Sequence, residues 1–275
     1  MQFPHIFPIP IAISPFLQNT ICVKFIATIL TLALSIALVL PVAAQEPDPW
    51  KAKEKCIFGM PYLGHAVKRG STGLVTEILK AVYEPTGIEF LHKELPYVRA
   101  MEEVRTGEIH CTLAAKDSHK LPQGDYTLAY YDLAAAYLRK TGFDNVQSLA
   151  GKRVAYLHGF ELKRFLPVKF TPQQIYDLSS GFHMLDRKHV AYLLGDNSLL
   201  LSAMRDSQLP TSDFMFTDIK SFEIRPVFAP TKEGKRFRNI YNRRMKEMLK
   251  SGELTDLMRA NGLDEKGIQK ILQAN

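Results

Sequence analysis

Short apolar runs alternate with helix-like stretches along this chain, and that alternation is the feature that most limits its fold. Residues 56–59 predict a buried strand, residues 74–82 carry apolar side chains at helical spacing, and residues 88–91 predict another strand. A second helix is predicted over residues 97–106 and a third strand over residues 109–113. Strands that alternate with helices are typical of parallel sheets, because each crossover needs a long connection to return the chain.

The alternation starts again at residue 153 and is followed by a helical tail. Strands are predicted over residues 153–157, 174–178, 190–194 and 214–216, helices near residues 161–166, 181–188 and 198–206, and an extended run over residues 222–228. Three helical stretches, around residues 235–250, 254–260 and 265–273, close the chain. We therefore expect an α/β protein of two small units with mostly parallel sheets and a helical C-terminal tail.

The first 44 residues predict a secretory signal peptide. They contain one charged side chain, Lys24, followed by an uncharged apolar run that ends in Pro41 and the small residues 42–44. This layout predicts cleavage after Ala44 and a periplasmic location. A membrane-spanning helix is the alternative, because about 20 apolar residues can cross a bilayer. A start at Val23 would place a short basic segment directly before the apolar run, so we also consider it as the true start.

The charge balance does not indicate a nucleic-acid partner. The sequence has 35 Lys plus Arg against 28 Asp plus Glu, a net charge of +7, and the basic residues are scattered along it. Scattered charges are typical of a solvated surface, and 46% hydrophobic residues are typical of a globular chain. We expect a small-molecule ligand, a monomer and no nucleic acid.

Two cysteines, Cys56 and Cys111, fall in predicted strands after the signal peptide. In an oxidising compartment they can form a disulfide. Alternatively they are small buried apolar residues, as free cysteines in strands often are. The sequence leaves both possibilities open.

Motifs of enzymes and metal sites are missing from the sequence. It contains no G-x-S-x-G turn, P-loop, H-E-x-x-H, G-x-G-x-x-G or C-x-x-C, and its eight histidines follow no ligand spacing. We therefore expect neither an enzyme nor a bound cofactor or metal.

Polar and aromatic residues follow the predicted strands where those strands end. Ligands of open parallel sheets bind beyond these carboxyl ends, so residues placed there are candidates for a binding site. Each has a plainer alternative, as packing aromatic, solvated charge or helix-terminal charge. The candidate ligand-binding residues are Tyr62, Tyr97, Arg99, Lys116, His158, Gly159, Phe160 and Asp196.

Three stretches carry a resemblance to a known family. They are LPYVRAM at residues 95–101, continued by TGEI at 106–109; LAGKRVA at residues 149–155; and SGEL at residues 251–254 with NGL at 261–263. In order and spacing they resemble motifs of the bacterial extracellular solute-binding proteins of family 3, the polar amino-acid type that serves ABC importers. The resemblance covers nearly all of residues 55–263.

The resemblance implies a type II periplasmic-binding-protein fold with two lobes and a cleft. Lobe 1 would comprise residues 50–137 and 228–275, and lobe 2 residues 138–227. It also implies a periplasmic protein that captures a small polar, anionic or zwitterionic ligand for an ABC permease. The alternatives are a periplasmic sensor or signalling partner and a cyclohexadienyl-dehydratase-like enzyme on the same fold.

Several positions depart from the family pattern where the ligand would bind. After the third strand the family usually has T-x-x-R, whose arginine holds the ligand carboxylate, but here the stretch is AKDSHK at residues 115–120. Asp196 matches the family's acidic residue after the second-lobe strand. Since helix N-termini attract anions, we expect Arg99, in the first turn of its helix, to be the main anchor for an anionic ligand, with Lys116 as a second donor. An ion pair of Arg99 with Glu102 or Glu103 is the alternative.

Overall fold

The structure is a computed structural model that describes residues 54–275, except residues 62, 64, 65, 69, 71, 119, 161, 163 and 164. The predicted signal peptide, its cleavage site and the alternative start at Val23 lie outside the described residues. Within the described part, no helix is both long enough and apolar enough to cross a membrane.

The first half of the chain alternates strand and helix as predicted. Its elements are β1 (Lys55–Met60), α1 (Leu74–Tyr83), β2 (Glu89–Glu94), α2 (Tyr97–Thr106) and β3 (Cys111–Ala115). Helix α2 ends at Gly107, whose φ of 85° belongs to the left-handed region that glycine adopts without strain. The chain then runs without a long helix into β4 (Ala129–Leu138).

The second half repeats the alternation and ends in three helices. Its elements are β5 (Arg153–Leu157), β6 (Thr171–Ile175), α3 (Leu178–Asp186), β7 (Tyr192–Asp196), α4 (Asn197–Asp206), β8 (Phe214–Phe228), α5 (Lys232–Ser251), α6 (Glu253–Ala260) and α7 (Glu265–Gln273). Polar side chains cap these helices at their first free N–H groups: Asp177 caps α3, Thr231 caps α5 and Asp264 caps α7.

All eight strands form one sheet in the order β2-β1-β3-β8-β4-β7-β5-β6. The pairings β1–β2, β1–β3, β5–β6 and β5–β7 are parallel, whereas β8 and β4 pair antiparallel with each other and with their outer neighbours. Each half is thus a parallel unit, and the two long strands β4 and β8 join the units.

The hydrophobic cores divide midway along these two strands. Ala129 and Ile224 pack against the first core, which lies around β1, α1 and helices α5 to α7, whereas Leu133 and the alanines after it belong to the cores of the second half. The ladder also shifts register between Leu133 and Ala134. We therefore propose that the lobes divide near Asp132 and Ser221, in place of the predicted boundaries at residues 137/138 and 227/228.

Strand β4 was not among the predicted elements, and some predicted bounds were wrong. Its sequence, AYYDLAAAYL, is rich in alanine, which has low strand propensity, and only pairing on both sides makes it a central strand. Strand β6 ends at Ile175, whereas the prediction placed this strand at residues 174–178. The predicted strand at 214–216 and the predicted extended run at 222–228 are the two ends of one 15-residue strand, β8. The helix predicted near 161–166 falls partly outside the described residues.

Cys56 and Cys111 are free and fully buried on adjacent strands. Phe58 lies opposite Cys111, so Cys56, two residues earlier, presents its side chain to the same face. Burial raises the pKa of the Cys56 thiol, and a hydrogen bond with Cys111 raises it further. The structure therefore places the two thiols in contact without a disulfide.

Candidate functional site

A cavity of about 1530 Å³ lies where the two parallel units meet. Residues of the first unit, such as Tyr97, and of the second, such as Phe160, both line it, together with the joining strands β4 and β8. The loops after β1 and β5 and the first turns of α2 and α4 contribute to its walls, as expected for the carboxyl ends of parallel strands.

Three aromatic rings are stacked across this cavity. The Phe160 ring lies between Tyr97, at a centroid distance of 5.4 Å, and Tyr131 on β4, at 5.5 Å. Next to Phe160, Gly159 has a φ of 89°, and a Cβ placed there would lie 2.5 Å from Cγ2 of Val98. The second unit thus contacts the beginning of α2 through Gly159 and Phe160. We call Tyr97, Phe160 and Tyr131 the aromatic stack.

Asp196 ends β7 at the cavity and caps α4. Its Oδ1 accepts hydrogen bonds from the N–H groups of Ser198 and Leu199 and from the Ser198 hydroxyl, and its Oδ2 accepts one from the Asp132 N–H at 3.0 Å. Burial raises the pKa of Tyr131, and the nearby Asp196 carboxylate raises it further. Both Asp196 oxygens are therefore engaged within the protein.

The Lys270 ammonium of α7 connects the tail to the joining strands. It donates to Asp132 Oδ1 at 2.6 Å and to the Ser221 hydroxyl at 2.7 Å, and it lies 4.2 Å from the centroid of the Tyr130 ring. The Ser221 hydroxyl also donates to Asp132 Oδ1, and the Tyr130 hydroxyl donates to the Lys270 carbonyl at 3.3 Å. This cluster lies at the strand positions where the cores divide.

Charged side chains of both signs line the described cavity wall, and they differ in the partners they have. Besides Asp132 and Asp196, the wall carboxylates are Glu102, which pairs with Arg105; Asp218, which accepts from Asn197; and the cap Asp264. The cavity is also lined by Lys120, Lys220 and Lys266, which form no ion pair with any carboxylate among the described residues. The described wall thus carries five acidic and five basic side chains, so its formal charges balance.

Four of the predicted site residues line the cavity, and one lies outside the described residues. Tyr97, Gly159, Phe160 and Asp196 are brought together at the wall. Tyr62 is the residue that the structure does not describe.

The remaining three predicted residues, Arg99, Lys116 and His158, are not among the described lining residues, so the structure does not support them as ligand contacts. Arg99 lies two residues after Tyr97 on α2, about 200° around the helix, and donates to Glu103 at 2.8 Å. The hydrogen bonds from Lys93 and Arg99 lower the pKa of Glu103. The ion pair considered as the alternative for Arg99 is the one that forms.

Lys116 and His158 also bond elsewhere. The Lys116 ammonium lies 3.2 Å from Glu223 Oε2. His158 is hydrogen-bonded to Gln174 at 2.8 Å and packs beside Tyr176. Each follows a strand, but its side chain contacts residues that are not among the described lining of the cavity.

Sequence reasoning missed Tyr131, Asp132, Ser221 and Lys270. The first two lie on β4, which was not predicted, and Ser221 lies just before the predicted extended run. An acidic residue between aromatic and apolar residues, in YYDLAAA, is the signal that could have identified β4. No sequence signal connects Lys270 with Asp132 across 138 positions.

Among the described residues, no three His, Cys, Asp or Glu side chains form a group that could hold a metal ion. The wall offers aromatic packing, hydrogen bonding and charged side chains of both signs.

Comparison with known proteins identifies the fold. No protein-family profile matches the sequence, and no curated protein matches it either. Among solved structures, an ancestral arginine-binding protein bound to arginine matches with a TM-score of 0.63 at 13% identity, over 76% of this chain and 99% of that one. The substrate-binding protein of an amino acid ABC transporter matches with a TM-score of 0.60 at 13% identity, over 76% and 100%.

A third match is a solved structure described under glutathione import in Gram-positive bacteria via GshT and the cystine ABC importer TcyBC of Streptococcus mutans. Its TM-score is 0.60 at 12% identity, over 76% of this chain and 95% of that one. The chain therefore has the two-lobed α/β fold of periplasmic binding proteins. The predicted fold class and the resemblance to amino-acid-type substrate-binding proteins are confirmed at the level of the fold.

Proposed function

We propose that this protein is a periplasmic solute-binding protein that captures a small organic ligand in the interlobe cavity for an ABC importer. The observation that carries the proposal is that both lobes and their joining strands line one cavity. A ligand that contacts both lobes binds the closed form better than the open form and so shifts the population towards closure. A permease can then distinguish loaded from empty protein by the lobe angle.

Lys120, Lys220 and Lys266, which have no carboxylate partner among the described residues, offer ammonium groups to an anionic part of a ligand. The wall also carries Asp196, Asp218 and Asp264, which are hydrogen-bonded by neutral donors and keep their negative charge, so a zwitterionic ligand fits the wall as well. We keep the predicted range of anionic and zwitterionic ligands at this step. Arg99 and Lys116 are not needed for it.

The geometry favours binding over turnover. Acid–base catalysis needs a donor and an acceptor free to exchange a proton with the substrate. On the described wall, Asp132 is neutralised by Lys270 and Asp196 is saturated by N–H and O–H donors. Export through a cleaved signal peptide and a monomeric state belong to the same proposal.

The experiment is a thermal-shift screen of the chain from Gln45 onwards against amino acids, organic acids and amines. A ligand at 100 times its dissociation constant should stabilise the protein by about 2.7 kcal/mol. Small-angle X-ray scattering with that ligand should show a smaller radius of gyration than without it. A screen in which no compound stabilises the protein, or a hit that is chemically converted, would contradict the proposal.

A further inference from the structure

We infer that the exposed face of helix α5 binds the surface of a bilayer that contains anionic phospholipids. This inference goes beyond the proposed function, because it concerns a second surface. No residue of α5 is among the described residues that line the cavity. The interaction is peripheral and electrostatic, and it holds the protein at a membrane.

The net charge of the chain is concentrated on α5. Residues 54–275 contain 32 Lys plus Arg against 26 Asp plus Glu, a net charge of +6. Helix α5 alone has eight of these basic residues and two of the acidic ones, which is also a net charge of +6. The other residues from 54 to 275 are neutral as a whole, so the expectation of scattered basic residues holds only outside this helix.

Most of the basic residues of α5 share one face. Residues three or four apart lie side by side on a helix, and this spacing recurs along the exposed side of α5 for about 27 Å. We call this set of exposed residues the basic stripe, and it comprises Lys232, Lys235, Arg236, Asn239, Arg243, Lys246 and Lys250. A row of six cations over this length matches an extended anionic surface better than a single small anion.

Carboxylates neutralise only part of the basic stripe. Arg236 pairs with Glu54, and Arg243 lies 4.0 Å from Glu247, which pairs with Arg244 at 2.7 Å. The four lysines of the stripe form no ion pair with any described carboxylate. Like charges three or four residues apart on a helix repel each other, and a surface of opposite charge relieves this repulsion.

A groove of about 490 Å³ lies beside the first three turns of α5. The loop between α1 and β2 forms its other side, and no carboxylate is among its described lining residues. Four cations of the stripe line it: Lys232, Lys235, Arg236 and Arg243. Because charged N–H donors without acceptors are what a phosphate group binds, this groove fits the headgroup of a phospholipid.

The apolar face of α5 is packed inside the protein and cannot enter a bilayer. Phe237, Tyr241 and Met245 are each at most 1% exposed, and the Phe237 ring packs edge-on against Tyr83 of α1 at 5.9 Å. Amphipathic helices that insert into membranes need a free apolar face. Binding through α5 therefore depends on charge alone, and salt should reverse it completely.

The test is co-sedimentation of the chain from Gln45 onwards with two kinds of vesicle, one of phosphatidylcholine alone and one with equal parts of phosphatidylcholine and phosphatidylglycerol. We expect binding only to the vesicles with phosphatidylglycerol. Binding should be strong in about 0.01 M salt and absent in about 1 M salt, where the screening length falls from about 30 Å to about 3 Å.

A variant of the basic stripe locates the surface. It replaces four exposed residues with glutamine: Lys232, Lys235, Arg243 and Lys246. Each basic side chain near an anionic leaflet contributes about fivefold to binding, so the variant should bind a hundredfold more weakly or less. If it melts at a lower temperature than the wild type, the pair Lys235→Gln and Lys246→Gln replaces it, with an expected loss of about 25-fold.

The matched control removes the same number of charges elsewhere. It replaces four exposed lysines of the second half of the chain with glutamine, at positions 140, 152, 169 and 188. None of them forms an ion pair with a described carboxylate. Because the control has the same net charge as the stripe variant, it should keep vesicle binding within a few-fold of the wild type.

The outcomes separate the bilayer from other anionic partners. Binding to phosphatidylglycerol vesicles that is lost in the stripe variant and kept in the control supports the inference. Equal loss in both variants, or binding that persists in about 1 M salt, overturns it.

Two soluble probes test the other occupants of this face. Glycerol phosphate that binds alone and displaces the vesicles at constant ionic strength would assign the groove to a small phosphate compound. Decaglutamate that binds where the vesicles do not would assign the basic stripe to an acidic protein surface. Each of these results overturns the inference and leaves the proposed function standing, because the thermal-shift screen tests the cavity separately.

Discussion

The aromatic stack makes a specific prediction about how the unliganded protein holds its lobes. Phe160 of the second lobe packs against Tyr97 of the first lobe and against Tyr131 on the joining strand. Phe160→Ala removes both ring contacts at once. The lobes should therefore open more often in the variant than in the wild type, without loss of either lobe's own core.

The magnitude follows from the two contacts. Aromatic pairs contribute about 0.5–1.5 kcal/mol each beyond the area they bury, so Phe160→Ala should cost the closed form about 1–3 kcal/mol. That corresponds to a shift of roughly 5- to 150-fold in the ratio of closed to open molecules. A change of this size moves most of the population to the open form where the closed form is favoured by less than this amount.

The assay is a double electron–electron resonance measurement of the interlobe distance. Spin labels on cysteines introduced at Lys246 in α5 and Arg187 after α3 report one lobe each, and the native thiols Cys56 and Cys111 are buried and should not react. We expect a broader and longer distance distribution for Phe160→Ala than for the wild type in the absence of ligand.

Phe143→Ala is the matched control. Phe143 also contacts two rings, Tyr137 at 5.7 Å and Tyr192 at 5.7 Å, but all three lie in the second lobe. This variant should lower the melting temperature and leave the interlobe distance unchanged. An unchanged distance distribution for Phe160→Ala, or the same change in both variants, would refute the reasoning.

Three further predictions concern the lobe contact, the tail and the pH dependence. Gly159→Ala places a methyl group against Val98 at a positive φ, so it should open the unliganded lobes, visible as a larger radius of gyration; an unchanged radius would count against the contact. Lys270→Met should lower the free energy of unfolding by about 1 kcal/mol or less in urea titrations, because the Lys270 ammonium is partly exposed; a loss of several kcal/mol would show a deeper role. Burial lowers the pKa of His110, whose Nδ1 accepts the Ile57 N–H, so the unfolded chain binds its proton more readily. The stability that neutral His110 contributes is present above its unfolded pKa of about 6.5 and is lost as the pH falls below that value. In His110→Gln the free energy of unfolding should therefore decrease less as the pH falls below about 6.5. An equal dependence of the unfolding free energy on pH in both proteins would contradict this.

The amino-acid sequence alone predicted the alternation of strand and helix, the two α/β units and the helical tail. These features are local, because a helix or strand reveals itself by the spacing of its own apolar residues. For the same reason Tyr97, Gly159, Phe160 and Asp196 could be identified as residues that follow strands. The order of motifs then indicated a two-lobed fold that the comparison of structures confirms.

The tertiary structure decided which of those residues face the cavity and what completes its wall. Arg99 follows a strand as Tyr97 does, yet two residues along a helix turn its side chain to Glu103 instead. Strand β4 exists only because β7 and β8 pair with it, since its alanines carry little strand propensity of their own. Lys270 reaches Asp132 across 138 positions, a contact that depends on where α7 packs and leaves no local trace in the sequence.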